Sequence, residues 1–266
     1  MKTQQKTPRH SAEVKRIISC VRVIESTWLG YAAAPLGMRM ENAGWHPDEP
    51  DAWCPTCGRN VGPHEVVLDQ DDEQGLLGRA SCSFCRTNPV PWDGCVRLGQ
   101  YKDELREVIH DMKFTRWHAL ARRLGRMLGE TLADRLNAEG IPTDHALLVP
   151  IPTTFSKRMA RGIDHTMQLT HGVSAQTGVQ ICRLLQRDHR PSQVGLSRTK
   201  RAINVKGSMK ARTSIPSGCR ALVVVDDVMT TGATCSEAVR ALRAAMRMQD
   251  LRFPVLVAVA GVADDI

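Results

Sequence analysis

No part of this 266-residue sequence approaches the ~18 continuous apolar residues of a membrane-spanning helix, so no span is expected. The opening segment MKTQQKTPRHSAEVKR carries charge but no apolar stretch ahead of its next charges. It is therefore not read as a secretory signal, and the expected location is cytoplasmic. Acid is scarce in one region. From Arg183 to Arg220 there are ten Lys or Arg and a single acid, Asp188, a local charge of +9 against +8 for the whole chain. Such a segment suits a polyanion, a diphosphate or nucleic acid; otherwise it is a solvated basic loop.

Cysteine is present in an odd number, nine. In a cytoplasmic chain that favours a metal over disulfides. Four of the nine pair as Cys54-Pro55-Thr56-Cys57 and Cys82-Ser83-Phe84-Cys85, with 24 residues between the pairs. Each CxxC puts two thiolates on one tight turn, and two such knuckles complete a tetrahedral site for structural Zn²⁺ with no open position. The predicted ligands are Cys54, Cys57, Cys82 and Cys85. The insert, Arg59 to Ser81, has Val66, Val67 and Leu68 before an acidic tip at Asp69 to Glu73, a pattern that fits a hairpin. Cys95 is either a spare ligand or, as the commoner outcome, a buried reduced thiol.

Elsewhere the periodicity alternates between strand and helix. Helical spacing is expected over 11–31, 102–112, 116–136 and 164–176, with Gly178 just past the end of the last. Strands are expected over 145–149, 181–185 and 254–259. Residues 35–50 are rich in Gly, Pro and Asn and read as an irregular lead-in; 191–214 reads as a long loop. The alternation predicts an α/β fold with a parallel sheet flanked by helices and its ligand at the carboxyl ends of the strands.

The most informative stretch is Ala221 to Thr234. A β-branched apolar run, Leu222 to Val225, is the composition of a buried parallel strand. It ends in two acids, Asp226 and Asp227. Thr230, Thr231, Gly232, Ala233 and Thr234 follow, and a helical run begins at Ser236. A small turn lets backbone N–H groups approach an anion, the threonines add hydroxyl donors, and the helix start adds its positive dipole end. Strand, acids, turn and helix together describe a site for a phosphorylated sugar. Two further segments offer cations. Pro150 to Gly162 ends a strand and supplies Thr153, Thr154, Ser156, Lys157, Arg158 and Arg161. Gln193 to Leu196 and Arg201 to Asn204 supply a second basic element.

The segment from about Val223 to Cys235 resembles the PRPP-binding signature of the type I phosphoribosyltransferases, PRPP being 5-phosphoribosyl-1-diphosphate. The ordered set is a four-cysteine head, Lys113-Phe114, Val149-Pro150-Ile151-Pro152, Arg161-Gly162, the Gln193 to Asn204 pattern and that signature. It resembles the ComF family from about Cys54 to Val262. Residues 163–166, Ile-Asp-His-Thr, depart from the family's usual Phe-Asn-Gln-Ala, and Asp164 places a negative charge near the expected diphosphate site. Met209 stands where a Phe is usual.

Three parts are expected: an N-terminal helix and irregular lead-in over 1–50, outside the resemblance, and within it a four-cysteine zinc-ribbon module over 51–97 and a phosphoribosyltransferase-like domain over 98–266. It also implies that a nitrogen nucleophile attacks the anomeric carbon of PRPP, that diphosphate leaves, and that Mg²⁺ assists. Asp226 and Asp227 would hold the ribose hydroxyls, one of them serving as a catalytic base. Val225, Thr230, Thr231, Gly232, Ala233 and Thr234 would complete the sugar-phosphate site. Thr153, Lys157, Arg158 and Arg161 would meet the diphosphate, with Arg201 and Asn204 on a closing loop. ComF relatives are associated with natural competence and DNA uptake. The alternative is therefore a non-enzymatic module that binds single-stranded DNA or the competence machinery and retains a PRPP-type site.

Overall fold

The structure is a computed structural model, and it describes residues 44–62, 65–68, 80–114, 118–154, 164–188, 207–212 and 214–263. Two compact units are present, Met1–Trp45 and His46–Ile266. Every element named below lies in the second. The helix expected over 11–31, the acidic tip at 69–73 and the basic residues Lys157, Arg158, Arg161 and Arg201 lie outside the described residues, as does Asn204.

In chain order the elements are β1 (Val67–Leu68), β2 (Ala80–Ser81), α1 (Ser83–Thr87), β3 (Gly94–Gln100), α2 (Asp103–Phe114), α3 (His118–Ala138), β4 (Ala146–Pro150), α4 (His165–Thr177), β5 (Gln180–Ile181), β6 (Leu185–Arg187), β7 (Met209–Ala211), β8 (Ala221–Met229), α5 (Ala233–Met248) and β9 (Val255–Val262). Five strands form one parallel sheet in the order β3-β9-β8-β4-β5. The expected parallel sheet flanked by helices is borne out.

The central strands are buried on both faces, which is why they read as unbroken apolar runs. Leu222 and Val224 of β8 join Val255, Val257 and Val259 of β9 in one core beneath α5, with Ala238, Val239 and Leu242. The alternate residues, Val223 and Val225, turn to the opposite face, where α3 packs on β3 and β9 and α4 on β4 and β8.

Helix α4 starts and stops where its sequence says it should. The Asp164 carboxylate caps its first turn by accepting from the Met167 N–H (3.2 Å), and Gly178 ends it in the left-handed region. The crossing of α3 with α4 is set by glycine. A Cβ at Gly172 would fall on the Arg122 carbonyl oxygen and 2.8 Å from the Gly125 Cα; one at Gly125 would fall on the Leu169 carbonyl. We expect Gly172→Ala to destabilise the protein by roughly 3 kcal/mol. Thermal melting should show this as a drop of about 10 °C; an unchanged midpoint would show that the two helices can move apart freely.

Three expectations need correction. Strand β8 outlasts its apolar run and does not end at the acids: pairing continues through Asp226↔Val259, Val228↔Gly261 and Met229↔Val262, because β9 runs on to Val262. The strand expected over 181–185 is two strands. β5 lies against β4, and after Cys182 a three-residue turn (Leu184 N–H to Cys182 carbonyl, 3.0 Å) takes the chain out of the sheet into β6. Part of the stretch read as loop is β7, antiparallel to β6. Strand β3 was not anticipated. It forms the sheet edge against β9, so the boundary expected between 97 and 98 falls inside a strand.

Candidate functional site

The carboxyl ends of β4 and β8 lie side by side, with Pro150 in register with Val225 and the Ile151 N–H donating to the Val225 carbonyl (3.0 Å). This is where a parallel sheet opens a crevice. Asp226 and Asp227 occupy it as successive strand residues, so their side chains leave on opposite faces. The Asp227 N–H donates to Asp226 Oδ1 (2.9 Å), and the Val228 N–H donates to Asp227 Oδ1 (2.8 Å).

Two cations act on the acid pair. Lys113 Nζ, from the last turn of α2, lies 2.9 Å from Asp227 Oδ2. Arg187, from β6, has its pKa lowered by burial, and the charge of Asp226 opposes that shift. Asp226 itself is pushed up to about 7, first by burial and then by the charge of Asp227, against the pull of the Asp227 N–H, Lys113 and Arg187. It therefore holds a proton that changes hands near neutrality.

The turn follows directly. Thr230 and Thr231 are exposed, Gly232 is buried, and Ala233 and Thr234 are half-buried at the start of α5. Gly232 sits at φ +71°, a conformation that side chains resist. The first intrahelical bond runs from the Ser236 N–H to the Gly232 carbonyl (2.8 Å), so the amides of residues 233–235 lie ahead of it. The Ala233 N–H has a local acceptor, a long contact (3.4 Å) to Thr231 Oγ1. An exposed hydroxyl pair beside helix-start donors is an anion cradle.

Thr153 stands on the neighbouring strand end, half-buried, and its hydroxyl donates to Asp164 Oδ1 (3.1 Å). The charge of Asp164 is thus directed into its own helix cap and Thr153. Among the described residues, Val225, Asp226, Asp227 and Thr230 to Thr234 form one continuous stretch from β8 into α5, and Thr153 lies three residues past the end of the adjacent β4 and bonds to Asp164. Lys113 and Arg187 were not assigned to it from sequence. The sequence offers Lys113 only within the Lys113-Phe114 motif and Arg187 only as one cation of the basic segment 183–220, and neither signal points to the acid pair. The acid pair offers oxygen donors alone, the set that a hard cation such as Mg²⁺ takes.

A second constellation lies at the amino-terminal end of the same unit. The Sγ atoms of Cys54, Cys57, Cys82 and Cys85 all lie within 4.8 Å of one another and are buried. Three of the separations are 3.8, 3.7 and 3.8 Å, for Cys54–Cys85, Cys57–Cys82 and Cys82–Cys85. A tetrahedral zinc with bonds of about 2.3 Å sets its sulfurs about 3.8 Å apart, so the residues fit the ion. β1 and β2 pair as the base of the expected hairpin between the knuckles. Cys95 stays outside the cluster, fully buried, with its pKa pushed up to about 12 by burial. It is the inert thiol rather than a fifth ligand.

No protein-family model matches the chain. Among named proteins, DNA utilization protein YhgH of Salmonella typhi is 26% identical over 188 residues, covering 69% of this chain and 81% of that protein. YhgH of Escherichia coli (strain K12) is 26% identical over the same shares. Competence protein F of Haemophilus influenzae is 27% identical over 167 residues, 61% of this chain and 72% of its own length. These relatives bear out the ComF resemblance read from the sequence. Of solved structures, the allosteric regulatory enzyme of purine biosynthesis aligns with 57% of this chain and 30% of its own at 17% identity and a TM-score of 0.35. The Thermus thermophilus protein TT1426 aligns with 54% and 86% at 16% identity and 0.28. Among the described residues no helix is long and apolar enough to cross a membrane.

Proposed function

Starting from this kinship with competence protein F and the YhgH proteins, we propose that the chain binds PRPP and transfers its phosphoribosyl group to a nitrogen nucleophile, releasing diphosphate. One observation carries the reading: two adjacent carboxylates at the end of a central parallel strand run directly into an exposed hydroxyl turn that opens a helix.

The roles are those the resemblance implies. Thr230, Thr231 and Thr234, with the amides at the start of α5, hold the 5-phosphate. Asp226 and Asp227 accept hydrogen bonds from the ribose hydroxyls. Thr153 supports the diphosphate, and Lys157, Arg158, Arg161, Arg201 and Asn204 remain candidates for it from their sequence positions. Mg²⁺, when bound, neutralises the leaving diphosphate. In the transfer the C1–O bond breaks with its electron pair going to diphosphate. The nucleophile's lone pair forms C1–N, and its proton passes to a base. Asp226 is the better base. Its proton affinity lies near neutrality, whereas Oδ2 of Asp227 already faces the Lys113 ammonium.

A second reading has support of its own in the relatives' names and in the cationic segment around the β6–β7 stem. In that reading the chain handles single-stranded DNA. Calorimetric titration of PRPP with and without Mg²⁺, beside single-stranded DNA, separates the two. We expect saturable, Mg²⁺-dependent PRPP binding. Salt-sensitive DNA binding with no response to PRPP would reverse the order of the readings.

A further inference from the structure

The four-cysteine cluster and the phosphate turn are far apart in sequence but share one buried wall. Thr56, inside the first knuckle, is 5% exposed, and its carbonyl accepts from the Trp92 indole N–H at 2.7 Å. The other end of the same indole backs the turn: a Cβ at Gly232 would stand 3.1 Å from Trp92 Cη2. Trp92 is 2% exposed and belongs to the core beneath α5, together with Cys235 from the first turn of that helix.

A second link runs beside it. The Cys95 N–H donates to the Pro55 carbonyl (2.8 Å), and a Cβ at Gly58 would meet Cys95 Sγ at 2.7 Å. The segment that carries Trp92 is fixed from behind. The Asp93 N–H donates to the Val255 carbonyl (2.9 Å), and the Asp93 carboxylate accepts from the Val255 N–H (2.7 Å) and pairs with Arg243 of α5. Little freedom is left in this segment except at the knuckle.

We propose that Trp92 is a positioning residue through which the metal-bound first knuckle holds the phosphate turn in its left-handed Gly232 conformation, so that metal occupancy sets how ordered the turn is and how well it holds a phosphate. A tetrahedral metal fixes the backbone of residues 54–57, and with it the direction of the Thr56 carbonyl. The carbonyl orients the indole, and the indole closes the space behind Gly232. Without the metal the Thr56 carbonyl is free to turn, the ring loses its anchor, and the turn samples conformations in which its hydroxyls and amides no longer converge.

The inference rests on the PRPP reading for what the turn holds, but its first readout does not. Hydrogen exchange by mass spectrometry of the full chain, zinc-loaded and zinc-stripped, is compared for wild type and Trp92→Leu. PRPP with Mg²⁺ is then titrated into each. We expect stripping to accelerate exchange at 230–236 about tenfold more than at 255–262, the size of one lost buried hydrogen bond over and above any loss of global stability. Zinc-loaded Trp92→Leu should show the same acceleration, and stripping it should add little at the turn because the link is already cut. PRPP affinity should fall by a similar factor in both cases. Unchanged exchange at 230–236 after stripping overturns the proposal, as does additive acceleration or an equal rise across 255–262. Should Trp92→Leu not fold, Trp92→Phe keeps a ring and removes only the indole N–H and the far edge. Wild type that ignores PRPP while its turn still follows zinc defeats the ligand reading and leaves the coupling standing. PRPP binding with zinc-independent exchange does the reverse.

Discussion

Asp226→Asn should bind PRPP at least about a hundredfold more weakly than wild type and yet melt higher at pH 8, the binding loss being that of a charged hydrogen-bonding partner in a buried site. Both effects come from one carboxyl. Burial and the neighbouring charge of Asp227 raise its pKa from an ordinary 3.8 to about 7. Below about pH 4 the group is protonated in both the folded and the unfolded chain and costs nothing. As the pH rises toward 7, the unfolded chain ionises freely while the folded chain resists. The stability present at low pH is therefore lost progressively, and the loss is complete above 7. At about 1.4 kcal/mol per pKa unit the penalty is at most on the order of 4 kcal/mol. Asparagine cannot ionise, so the variant should lack this slope. Binding should move the other way. Ribose hydroxyls and a magnesium-bearing ligand favour the carboxylate, so wild-type affinity should climb between about pH 6 and 8. Melting temperature against pH, with calorimetry at each pH, checks both halves. Replacing both acids, Asp226→Ala with Asp227→Ala, should abolish binding without unfolding the chain. Wild-type affinity in that double variant would remove the site assignment altogether.

The part of this site that could be read from sequence is the part written in contiguous residues. The run from Leu222 to Thr234 contains its own strand, acids and turn, and Asp164 and Gly178 mark both ends of α4 without help from the rest of the chain. What could not be read depends on partners far away. Strand β3 carries Arg97 between glycines and was not recognised, because an arginine at a sheet edge reads as solvent-facing. It is fully buried, hydrogen-bonded to Asn60 and 2.5 Å from the Asp48 carboxylate. The overrun of β8 past its acids is decided by the length of β9. Lys113 and Arg187 become site residues only because α2 and β6 deliver their ends to the same crevice. Local propensity carries none of that information.

Arg97 also makes the second large effect quantitative. Cys54→Ser should lose the metal, about one zinc per chain by atomic absorption, and lower the melting temperature by about 10 °C or more. The direct term is the loss of a thiolate from a closed four-sulfur site, whose binding free energy is also folding free energy. The indirect term is specific to this chain. Asn60, which holds the buried Arg97 guanidinium, lies three residues beyond Cys57 in the first knuckle, and the Trp53 ring 5.8 Å from that guanidinium immediately precedes Cys54. Cys54 is moreover tied to the same turn through its N–H to the Arg59 carbonyl (2.8 Å). If the knuckle unravels, Arg97 keeps its ion pair with Asp48 but loses the Asn60 acceptor inside the sheet edge, and a buried donor that loses its acceptor costs roughly 1–3 kcal/mol. Arg97→Met in the Cys54→Ser background should therefore recover part of the lost stability, since a neutral chain of similar length leaves no charge behind. Full stability of metal-free protein would show that the four cysteines contribute nothing to holding the sheet edge. A double variant no more stable than Cys54→Ser would show that the guanidinium keeps its partners when the knuckle is gone.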